Sequence, residues 1–542
     1  MINFKTTISK ANKKLPLKIA ATLLASSSLL ASLLGLLRDR LLNGMYYNTY
    51  PTGIDAYAVA FTIPDFMFFI LVSGALSVTF IPVFNQRLAK GNKRSAWELS
   101  TSLLNLLAIV TLVASVLIII FADVLVKYVV GPGLDESSTA LAVSMMRVIA
   151  VNPFLFAIAT VFASMQQAVG RFAFFALAPV LYNIGIIIGA MFFTQGINIF
   201  GIQIFEGGIM GVALGVVLGS MLQLLVSSLG LFGMGFDYRF KIYWKNKGFR
   251  QVLRLLPPRS LDQGIDYVTS IVETNLASRF VAGSVRAYQQ AMTLSFVPIN
   301  LIGVAISTAA FPKMTERLGQ GRPDLFRREL QAVLRVIVWL ALPVTVIAYF
   351  GRGYLVSFVN NGGDAYIASI LGILSISILF RSIFFIAARS FYAQQDTKTP
   401  LYISLVTIGA SVALAVWLSL GTNAGVYGLA WASVLAAILE VTILFVIMER
   451  RIRGLFSKDF VNALVRMASA TGFMAIITYI MVLLLPFGAD DQSFFSSFPK
   501  FAVIVAVSLI SYIIICRLFK LREVNPIIDK VRKILFKPPT VG

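Results

Sequence analysis

The chain has 542 residues, of which 58% are hydrophobic and 13% charged, and its mean hydropathy is +0.84. Soluble domains carry about 25% charged residues, so this composition excludes an ordinary soluble globular protein. The formal net charge of +22 would suit a nucleic-acid-binding protein, but the cations are divided among separate loops, and we expect no nucleic-acid partner. One cysteine, Cys516, and no histidine exclude an internal disulfide and the commonest metal ligand.

Apolar runs recur from one end of the chain to the other, and a run of about 20 residues is long enough to span a bilayer core. Continuous runs without two-residue alternation favour helices over a β-barrel. The first run resembles a signal peptide but ends in Arg38-Asp39-Arg40 instead of a cleavage site. The runs predict an all-α integral membrane protein of about fourteen transmembrane helices, at 17–37, 55–85, 98–126, 139–165, 172–194, 208–234, 259–281, 286–312, 329–350, 365–392, 400–420, 424–448, 460–485 and 499–519.

Basic residues are concentrated in alternate loops between these helices. Clusters such as 87–94, 239–254 and 450–458 alternate with loops such as those of Asp135-Glu136 and Asp490-Asp491, which carry few cations. By the positive-inside rule, this pattern predicts that both termini are cytoplasmic, and an even number of helices agrees with it.

An internal repeat with an offset of 230 residues relates the two halves of the chain. Residues 75–91 share Ala, Ser, Pro, Arg, Leu and Gly with residues 305–321 at equivalent places. Six helices per repeat preserve orientation, so we expect two pseudo-symmetric lobes related by an axis along the membrane normal. The predicted domains are an N-lobe of helices one to six (1–235), a cytoplasmic amphipathic linker helix (236–258), a C-lobe of helices seven to twelve (259–449), and two further helices with a basic tail (450–542).

Charged residues inside a membrane are costly and therefore mark candidate functional positions. Arg38, Asp39 and Arg40 lie at the predicted outer end of helix one, and Arg279 and Arg286 lie at the same end of helices seven and eight. Together they would present up to four cations around one outer opening. Arginine binds phosphate with two hydrogen bonds, so the pattern indicates an anion site. Snorkelling of the helix-one arginines to the interface is the alternative interpretation.

Three carboxylates on helix seven form the second candidate site. At 100° per residue, Asp262, Asp266 and Glu273 fall within about 40° of one another. Such a face could bind Na⁺ or H⁺ and couple transport to an ion gradient. The alternative is that Asp262, which follows Pro257-Pro258, caps the start of the helix.

Two prolines, Pro64 and Pro298, lie inside the second helix of each repeat, where they permit a kink that would serve gating or be a static bend. No Walker loop, metal-ligand spacing or histidine base marks a catalytic site, so we expect a transporter without a resident metal or cofactor instead of an enzyme.

The sequence resembles the MurJ/MviN family of lipid II flippases, within the MOP exporter superfamily. The resemblance rests on motifs that follow in order over helices one to eleven. They are Gly35-Leu-Leu-Arg38-Asp39, Asp55-Ala56, Pro64, Gly74-Ala75-Leu-Ser77, Phe80-Ile-Pro82, Arg171-Phe172, Ala178-Pro179-Val-Leu-Tyr-Asn183, Gly283-Ser284-Val285, Pro298, Gly303-Val304-Ala305 and Phe391-Tyr392-Ala-Gln-Gln395-Asp396-Thr397-Lys398-Thr399-Pro400.

The resemblance implies a flippase that moves undecaprenyl-pyrophosphate-linked peptidoglycan precursor, lipid II, to the outer leaflet of the bacterial inner membrane by alternating access. It implies that the two C-terminal helices form a groove for the lipid tail, that a membrane potential or an ion gradient supplies the energy, and that cell-wall synthesis or division proteins are partners. The predicted head-group cavity then contains Arg38, Asp39, Arg40, Asp55, Arg279 and Arg286.

The chain also departs from the family at several positions where cavity charges are expected. Ser32 replaces an arginine, Phe68, Phe69 and Ser73 stand where arginine and glutamate are frequent, and Met292-Thr293 replaces an Asp-Arg pair. Arg286 lies seven residues before Thr293 on one helix face, about 10 Å away, and could supply a relocated charge. The alternative functions are a flippase for another polyprenyl-linked saccharide, a MATE-like cation-coupled exporter, and a non-transporting scaffold of a cell-wall complex.

Overall fold

A computed structural model of the chain describes residues 16–73, 75–199, 202–360, 362–488, 491, 493–526 and 529. The residues that are described by their backbone alone are 17, 18, 20, 21, 73, 75–78, 197, 199, 202, 204 and 257–266. The predicted cation-coupling residues Asp262 and Asp266 therefore have side chains outside the described part of the chain, as do most residues of the basic termini.

The chain divides into two compact units, Met1–Arg286 and Ala287–Gly542. The first unit contains α1 to α9 and a small antiparallel hairpin, β1–β2, which the sequence did not predict. Its elements are α1 (Leu17–Tyr46), α2 (Pro51–Phe68), α3 (Ala75–Ala89), α4 (Lys93–Val124), α5 (Glu136–Ile149), α6 (Asn152–Ala168), α7 (Ala173–Phe192), β1 (Ile197–Ile199), β2 (Ile202–Phe205), α8 (Met210–Leu229) and α9 (Lys247–Ala277).

The second unit contains the remaining helices, and the boundary between the units falls inside α10. Its elements are α10 (Ser284–Ile299), α11 (Ala305–Gly319), α12 (Pro323–Phe350), α13 (Arg352–Ser357), α14 (Ala365–Ala393), α15 (Lys398–Val416), α16 (Val426–Arg451), α17 (Lys458–Leu484) and α18 (Phe494–Leu518). The lobe boundaries drawn from the sequence at 235, 259 and 449 stay a prediction.

Thirteen helices of the described residues are long and apolar enough to cross a membrane. The predicted seventh span is not among these thirteen. It corresponds to α9, a helix of 31 residues with basic residues along its first half. This helix starts at Lys247, well before the predicted start at 259, so Asp262 lies inside it and does not cap its beginning.

The predicted linker helix over 236–258 is helical only in its second half, from Lys247 onward, and its role as a cytoplasmic linker stays a prediction. Residues 235–246 are not helical, and the chain becomes helical only at Lys247. Asn246 determines that start, because its side-chain oxygen accepts the N–H groups of Gly248 and Phe249 at 2.9 and 3.1 Å. The aromatic and basic residues of this segment had indicated an interfacial helix, but the carbonyls of Arg239 and Lys241 accept hydrogen bonds from the Asn105 side chain of α4 instead of pairing within a helix.

The 230-residue offset reappears in the helix starts. The helices α3 and α4 begin at Ala75 and Lys93, and α11 and α12 begin 230 residues later at Ala305 and Pro323. In each half, a π-helical turn precedes the first helix of the pair, at Phe69–Ser73 and at Asn300–Val304. Pro64 and Pro298 each lie in the helix just before such a turn. The structure thus places a break in helical register beside both predicted kinks.

Close helix packing in the first unit rests on small residues. Gly185 and Gly189 of α7 face Gly219 and Gly215 of α8, and a Cβ at Gly185 would come within 2.3 Å of the Gly219 backbone. Small residues that let backbones approach are the usual basis of helix association in lipid, where a hydrophobic driving force between helices is missing.

The last two helices pack on α12 within the second unit. The Tyr512 hydroxyl of α18 donates to the Trp339 carbonyl at 3.0 Å, and Thr478 of α17 bonds to Ser508 of α18 at 2.8 Å. Most of their remaining surface is exposed, since only 28% and 22% of their most apolar windows is buried. The pair therefore presents a broad apolar surface that suits contact with lipid.

Candidate functional site

The end of α1 and the start of α2 carry the polar residues of the candidate site. Asp39 and Asn43 are one helical turn apart on α1 and therefore share a face. Asp55 lies in the first turns of α2, where Pro51 occupies a position that needs no N–H donor. Its side chain is buried, with 3% of the residue exposed.

Asp55 caps the start of α10, more than two hundred residues away in sequence. Its two oxygens accept the backbone N–H groups of Gly283, at 2.7 Å, and Arg286, at 2.8 Å. Gly283 has a φ of +91°, a backbone conformation that side chains with a Cβ rarely adopt. A carboxylate at a helix N-terminus satisfies N–H groups that have no partner within the helix and complements the helix dipole.

The backbone N–H of Arg286 is bound by Asp55, whereas its side chain points towards α1. Its Nε donates to the Asn43 side-chain oxygen at 2.9 Å, and its Nη2 binds Asp39 Oδ1 at 3.1 Å. Arg38 binds the same Asp39 oxygen at 3.1 Å and also donates to the Asn183 side-chain oxygen of α7 at 3.2 Å. A single carboxylate oxygen therefore joins two guanidinium groups.

The formal charges of this cluster cancel, because Arg38 and Arg286 are balanced by Asp39 and Asp55. Arg38 also lies within electrostatic range of Asp65 of α2. Both arginines are largely withdrawn from solvent, with side chains 24% and 11% exposed. The two cations of the cluster are thus already neutralised by groups of the protein, and anion binding there stays a prediction.

The other predicted arginines are not part of this cluster. Arg279 is exposed, and its Nε donates to Asn275 at 3.3 Å. Its helix end is tied to the loop after α4 instead, since the Ser278 hydroxyl accepts the Gly133 N–H at 3.2 Å. Arg40 is half-buried on a neighbouring face of α1. The structure therefore brings together two of the four predicted cations, and a role in substrate binding for any of them stays a prediction.

The acidic face of helix seven is described only in part. Glu273 is half-buried and has a partner within the protein, whereas the side chains of Asp262 and Asp266 lie outside the described residues. Within the described part of the chain, no group of three or more acidic or sulfur ligands could hold a metal ion. Cation coupling at this face stays a prediction.

Aromatic side chains occupy two positions, Phe68 and Phe69, at which the family resemblance had led us to expect charged residues. Phe69 stacks on Tyr267 of α9 with ring centroids 4.1 Å apart, and Phe68 meets Phe156 of α6 edge-on at 5.3 Å. Phe156 in turn contacts Tyr182 of α7 at 5.2 Å. The sequence showed that the charges were absent but not that a continuous aromatic band across α9, α2, α6 and α7 takes their place.

Two asparagine side chains of the cluster, Asn43 and Asn183, were not predicted as site residues. Asn43 follows Asp39 at the helical spacing of four, which is the signal that could have found it. Asn183 had been noted only as part of a matching motif, and nothing in the sequence links it to Arg38, 145 residues away.

Comparison of the fold gives similarity to solved membrane transporters. The structure described as "Lipid II flippase MurJ, inward closed conformation" matches with a TM-score of 0.73 and 22% identity, covering 92% of this chain and 98% of that chain. An inward-facing MATE-family multidrug transporter of the MOP superfamily matches with a TM-score of 0.66 and 17% identity, covering 79% of this chain and 96% of that chain. The predicted fold class, an all-α membrane protein of two lobes and a C-terminal helix pair, is confirmed.

Sequence relatives cover most of the chain. The "Probable lipid II flippase MurJ" of Thermotoga maritima is 25% identical over 502 residues, covering 92% of this chain and 95% of the relative. The protein of the same description from Bdellovibrio bacteriovorus is 26% identical over 458 residues, covering 82% and 84%. The "Lipid II flippase MurJ" of Burkholderia cenocepacia is 27% identical over 394 residues, covering 70% and 73%.

The family model described as "Lipid II flippase MurJ" matches residues 51–495, which include the start of α10, Asp55 and the aromatic band. This match extends over well more than half of the 542 residues. The predicted family is confirmed, and this multi-pass membrane protein belongs to the lipid II flippase MurJ family.

Proposed function

We propose that this chain moves lipid II from the cytoplasmic to the outer leaflet of a bacterial inner membrane by alternating access. The observation that carries the proposal is the family match over residues 51–495. Relatives described as probable lipid II flippase MurJ cover 82% and 92% of the chain. The likeness to MATE transporters supports the fold alone, because those structures are 17% identical.

The Arg38–Asp39–Arg286 cluster is the proposed contact for the pyrophosphate of the head group. Both guanidinium groups bind one Asp39 oxygen in this structure, at 3.1 Å each. An incoming phosphate offers more acceptor oxygens than that single atom and matches the planar guanidinium with paired hydrogen bonds. We propose that the phosphate exchanges with Asp39, while Asp55 continues to hold the start of α10.

The lipid tail is proposed to stay in the bilayer against α17 and α18. These two helices expose large apolar side chains along their length, among them Phe473, Ile480 and Ile514. A polyprenyl chain gains nothing from entering water, so the head group alone needs a polar path. The proposed orientation places both termini in the cytoplasm, as the basic loops indicate.

Energy for the movement is proposed to come from the membrane potential or an ion gradient. The carboxylates of α9 are the proposed coupling groups, and Glu273, one of them, is half-buried.

The test of coupling uses cells that are depleted of their own lipid II flippase and express this chain. It measures how much lipid II is exposed on the outer face of the membrane. Exposure that collapses with a protonophore supports coupling to the membrane potential or a proton gradient, exposure that collapses only with a sodium ionophore supports a sodium gradient, and exposure insensitive to both contradicts coupling. Because the proposed cargo is a cell-wall precursor, proteins of cell-wall synthesis and division are also proposed as partners.

Complementation tests the function itself. Expression of the chain in a strain depleted of its lipid II flippase should restore growth, and Arg286→Gln should abolish the rescue. Arg279→Gln is the matched control, since Arg279 is an exposed arginine close in sequence whose bond to Asn275 is at 3.3 Å. Absence of rescue by well-expressed wild type, together with transport of another polyprenyl-linked saccharide, would overturn the proposal.

A further inference from the structure

A cavity in the first unit lies apart from the Arg38–Asp39–Arg286 cluster. It has a volume of about 720 Å³ and is bounded by α4, α6, the end of α8 and the segment that follows α8. This volume is within the range of sites that hold small organic ligands. Its walls are mostly apolar, and they include Leu104, Ala108, Ile109, Leu112, Phe162 and Phe236.

The cavity opens on the side of α4 that faces lipid. Ile109 and Leu112, which line it, are 43% and 47% exposed. Beyond them, α4 continues with exposed apolar residues such as Val116 and Ile120. A surface of this kind in a membrane-spanning helix contacts hydrocarbon, so an acyl chain can enter without crossing water.

The segment 231–246, which we call the strap, forms the wall at the basic end of the cavity. Asn105 of α4 holds the strap, because its amide donates to the carbonyls of Arg239 and Lys241 at 2.9 and 3.1 Å. The Tyr238 hydroxyl donates back to the Asn105 side-chain oxygen at 2.9 Å. Ser102, one turn earlier on α4, accepts the N–H of Tyr243 at 2.8 Å. These bonds fix an extended strap across the end of an apolar groove.

Cations border the cavity at the strap. Arg171 donates to the carbonyls of Phe232 and Gly233, at 3.0 and 2.9 Å, and both of those residues line the cavity. Lys241 follows the cavity residue Phe240, and its ammonium group lies 5.5 Å from the centre of the Tyr243 ring. Neither cation forms an ion pair with a carboxylate of the described residues, whereas Arg239 is bound to Asp237 at 3.0 Å.

We propose that this cavity, the strap pocket, binds one acyl chain of an anionic phospholipid whose phosphate lies against Arg171 and Lys241. A tail is as well solvated in the bilayer as in an apolar pocket, so the walls alone give little preference. Each cation near the membrane surface favours an anionic lipid, and the exposed rings of Tyr238 and Phe240 suit the level of the head groups. The pocket is therefore a site for a structural or regulatory lipid, separate from the transported one.

Native mass spectrometry of the purified full-length chain tests the proposal. The probes are dioleoyl phosphatidylglycerol and dioleoyl phosphatidylcholine, supplied together in equal amounts. We expect one phosphatidylglycerol to be retained about 25-fold over phosphatidylcholine, since each of the two cations contributes about fivefold. Equal retention of the two lipids would refute the charge selectivity and with it the proposal.

Two pairs of variants locate the bound lipid. Ala108→Phe fills the pocket and should abolish the preference, whereas Ala114→Phe, at another position of α4 outside the pocket, should keep it. Lys241→Gln should lower the preference about fivefold, whereas Lys93→Gln, at the first residue of α4 and outside the cavity lining, should not change it. A preference that survives Ala108→Phe, or displacement of the lipid by an equal amount of a polyprenyl phosphate, would overturn the assignment.

Discussion

Two aspartates of this protein hold the start of a helix in the same manner but in different surroundings. Asp55 accepts two backbone N–H groups at the start of α10, those of Gly283 and Arg286, at 2.7 and 2.8 Å. Asp396 accepts the N–H groups of Lys398 and Thr399 at 3.1 and 3.0 Å, at the start of α15, and binds Arg451 at 2.7 Å. Asp55 is almost fully buried, whereas the Asp396 side chain is 22% exposed and lies in the loop between two spans.

The difference shows how burial changes the value of one interaction. Asp396 is partly exposed, so if its carboxylate is removed, water can accept hydrogen bonds from the N–H groups of Lys398 and Thr399. The N–H groups held by Asp55 have no such substitute, and an unmatched buried donor costs the full desolvation penalty. Partial burial alone would raise the pKa of Asp396, but hydrogen bonds from Thr399 and the Arg451 charge hold it at about 2.

Removal of the buried carboxylate should have the largest effect. We expect Asp55→Ala to lower the free energy of unfolding by about 3–5 kcal/mol, because two buried N–H groups lose their acceptor. Thermal unfolding of the purified protein in detergent measures this loss. Asp55→Asn, which keeps one acceptor oxygen, should fall between wild type and the alanine variant. A melting temperature of Asp55→Ala equal to that of wild type would contradict the cap.

The shared oxygen of Asp39 gives the second prediction. Asp39→Asn leaves two guanidinium groups beside a neutral amide, and we expect a loss of about 2–4 kcal/mol in unfolding free energy. The double variant Asp39→Asn/Arg286→Gln removes one of the two repelling charges. It should therefore be more stable than the sum of the two single variants by about 1–3 kcal/mol. Additive single effects would mean that the two residues do not interact.

An exchange of positions on α10 examines whether Arg286 is a relocated charge or a fixed part of the cluster. If Arg286 supplies a relocated charge, as the sequence suggested, the exchange Arg286→Thr/Thr293→Arg should retain activity. The contacts of Arg286 with Asn43 and Asp39, at 2.9 and 3.1 Å, favour the opposite result, because Thr293 is exposed and lies about two turns further along the helix. We expect the double variant to fail in complementation. Full rescue would restore the relocated-charge hypothesis.

The exposed cap should show the smallest effect. We expect Asp396→Ala to cost about 1 kcal/mol of unfolding free energy, as for an ordinary N-cap with a partly exposed ion pair. Because the folded pKa lies at about 2, below the usual 3.8, the stabilisation is complete above about pH 4 and is lost as the pH falls towards 2. Melting temperatures of wild type and variant should therefore converge over that interval. A difference that persists unchanged at pH 2 would contradict this origin.

Local patterns in the sequence predicted the helices and the membrane spans well. Span-length apolar runs and alternating basic loops need no knowledge of distant contacts, and the cap at Asp396 involves donors two and three residues away. The 230-residue offset was readable from six identities and is matched by the helix starts at Ala75 and Ala305. The strap was mispredicted because its aromatic and basic composition suits an interfacial helix, while the bonds to Asn105 that hold it extended are tertiary.

The candidate site could be predicted only as a set of charged residues. Sequence position placed Arg38, Asp39 and Arg286 at one end of their helices, but not on one carboxylate oxygen. The partners of Arg286 are 243 and 247 residues away, at Asn43 and Asp39. The same limit applies to Phe69, whose stacking on Tyr267 depends on how α9 packs against α2.

The cap made by Asp55 also has a consequence for biosynthesis. Its donors, Gly283 and Arg286, are added to the chain 228 and 231 residues later. At about 5–20 residues per second, that delay is roughly 10–45 s. During this interval the first helices must enter the membrane with Asp39 and Asp55 lacking Arg286, so a proton or water must compensate them. Completion of the cluster can therefore occur only after α9 has been translated, which makes it a late step of assembly.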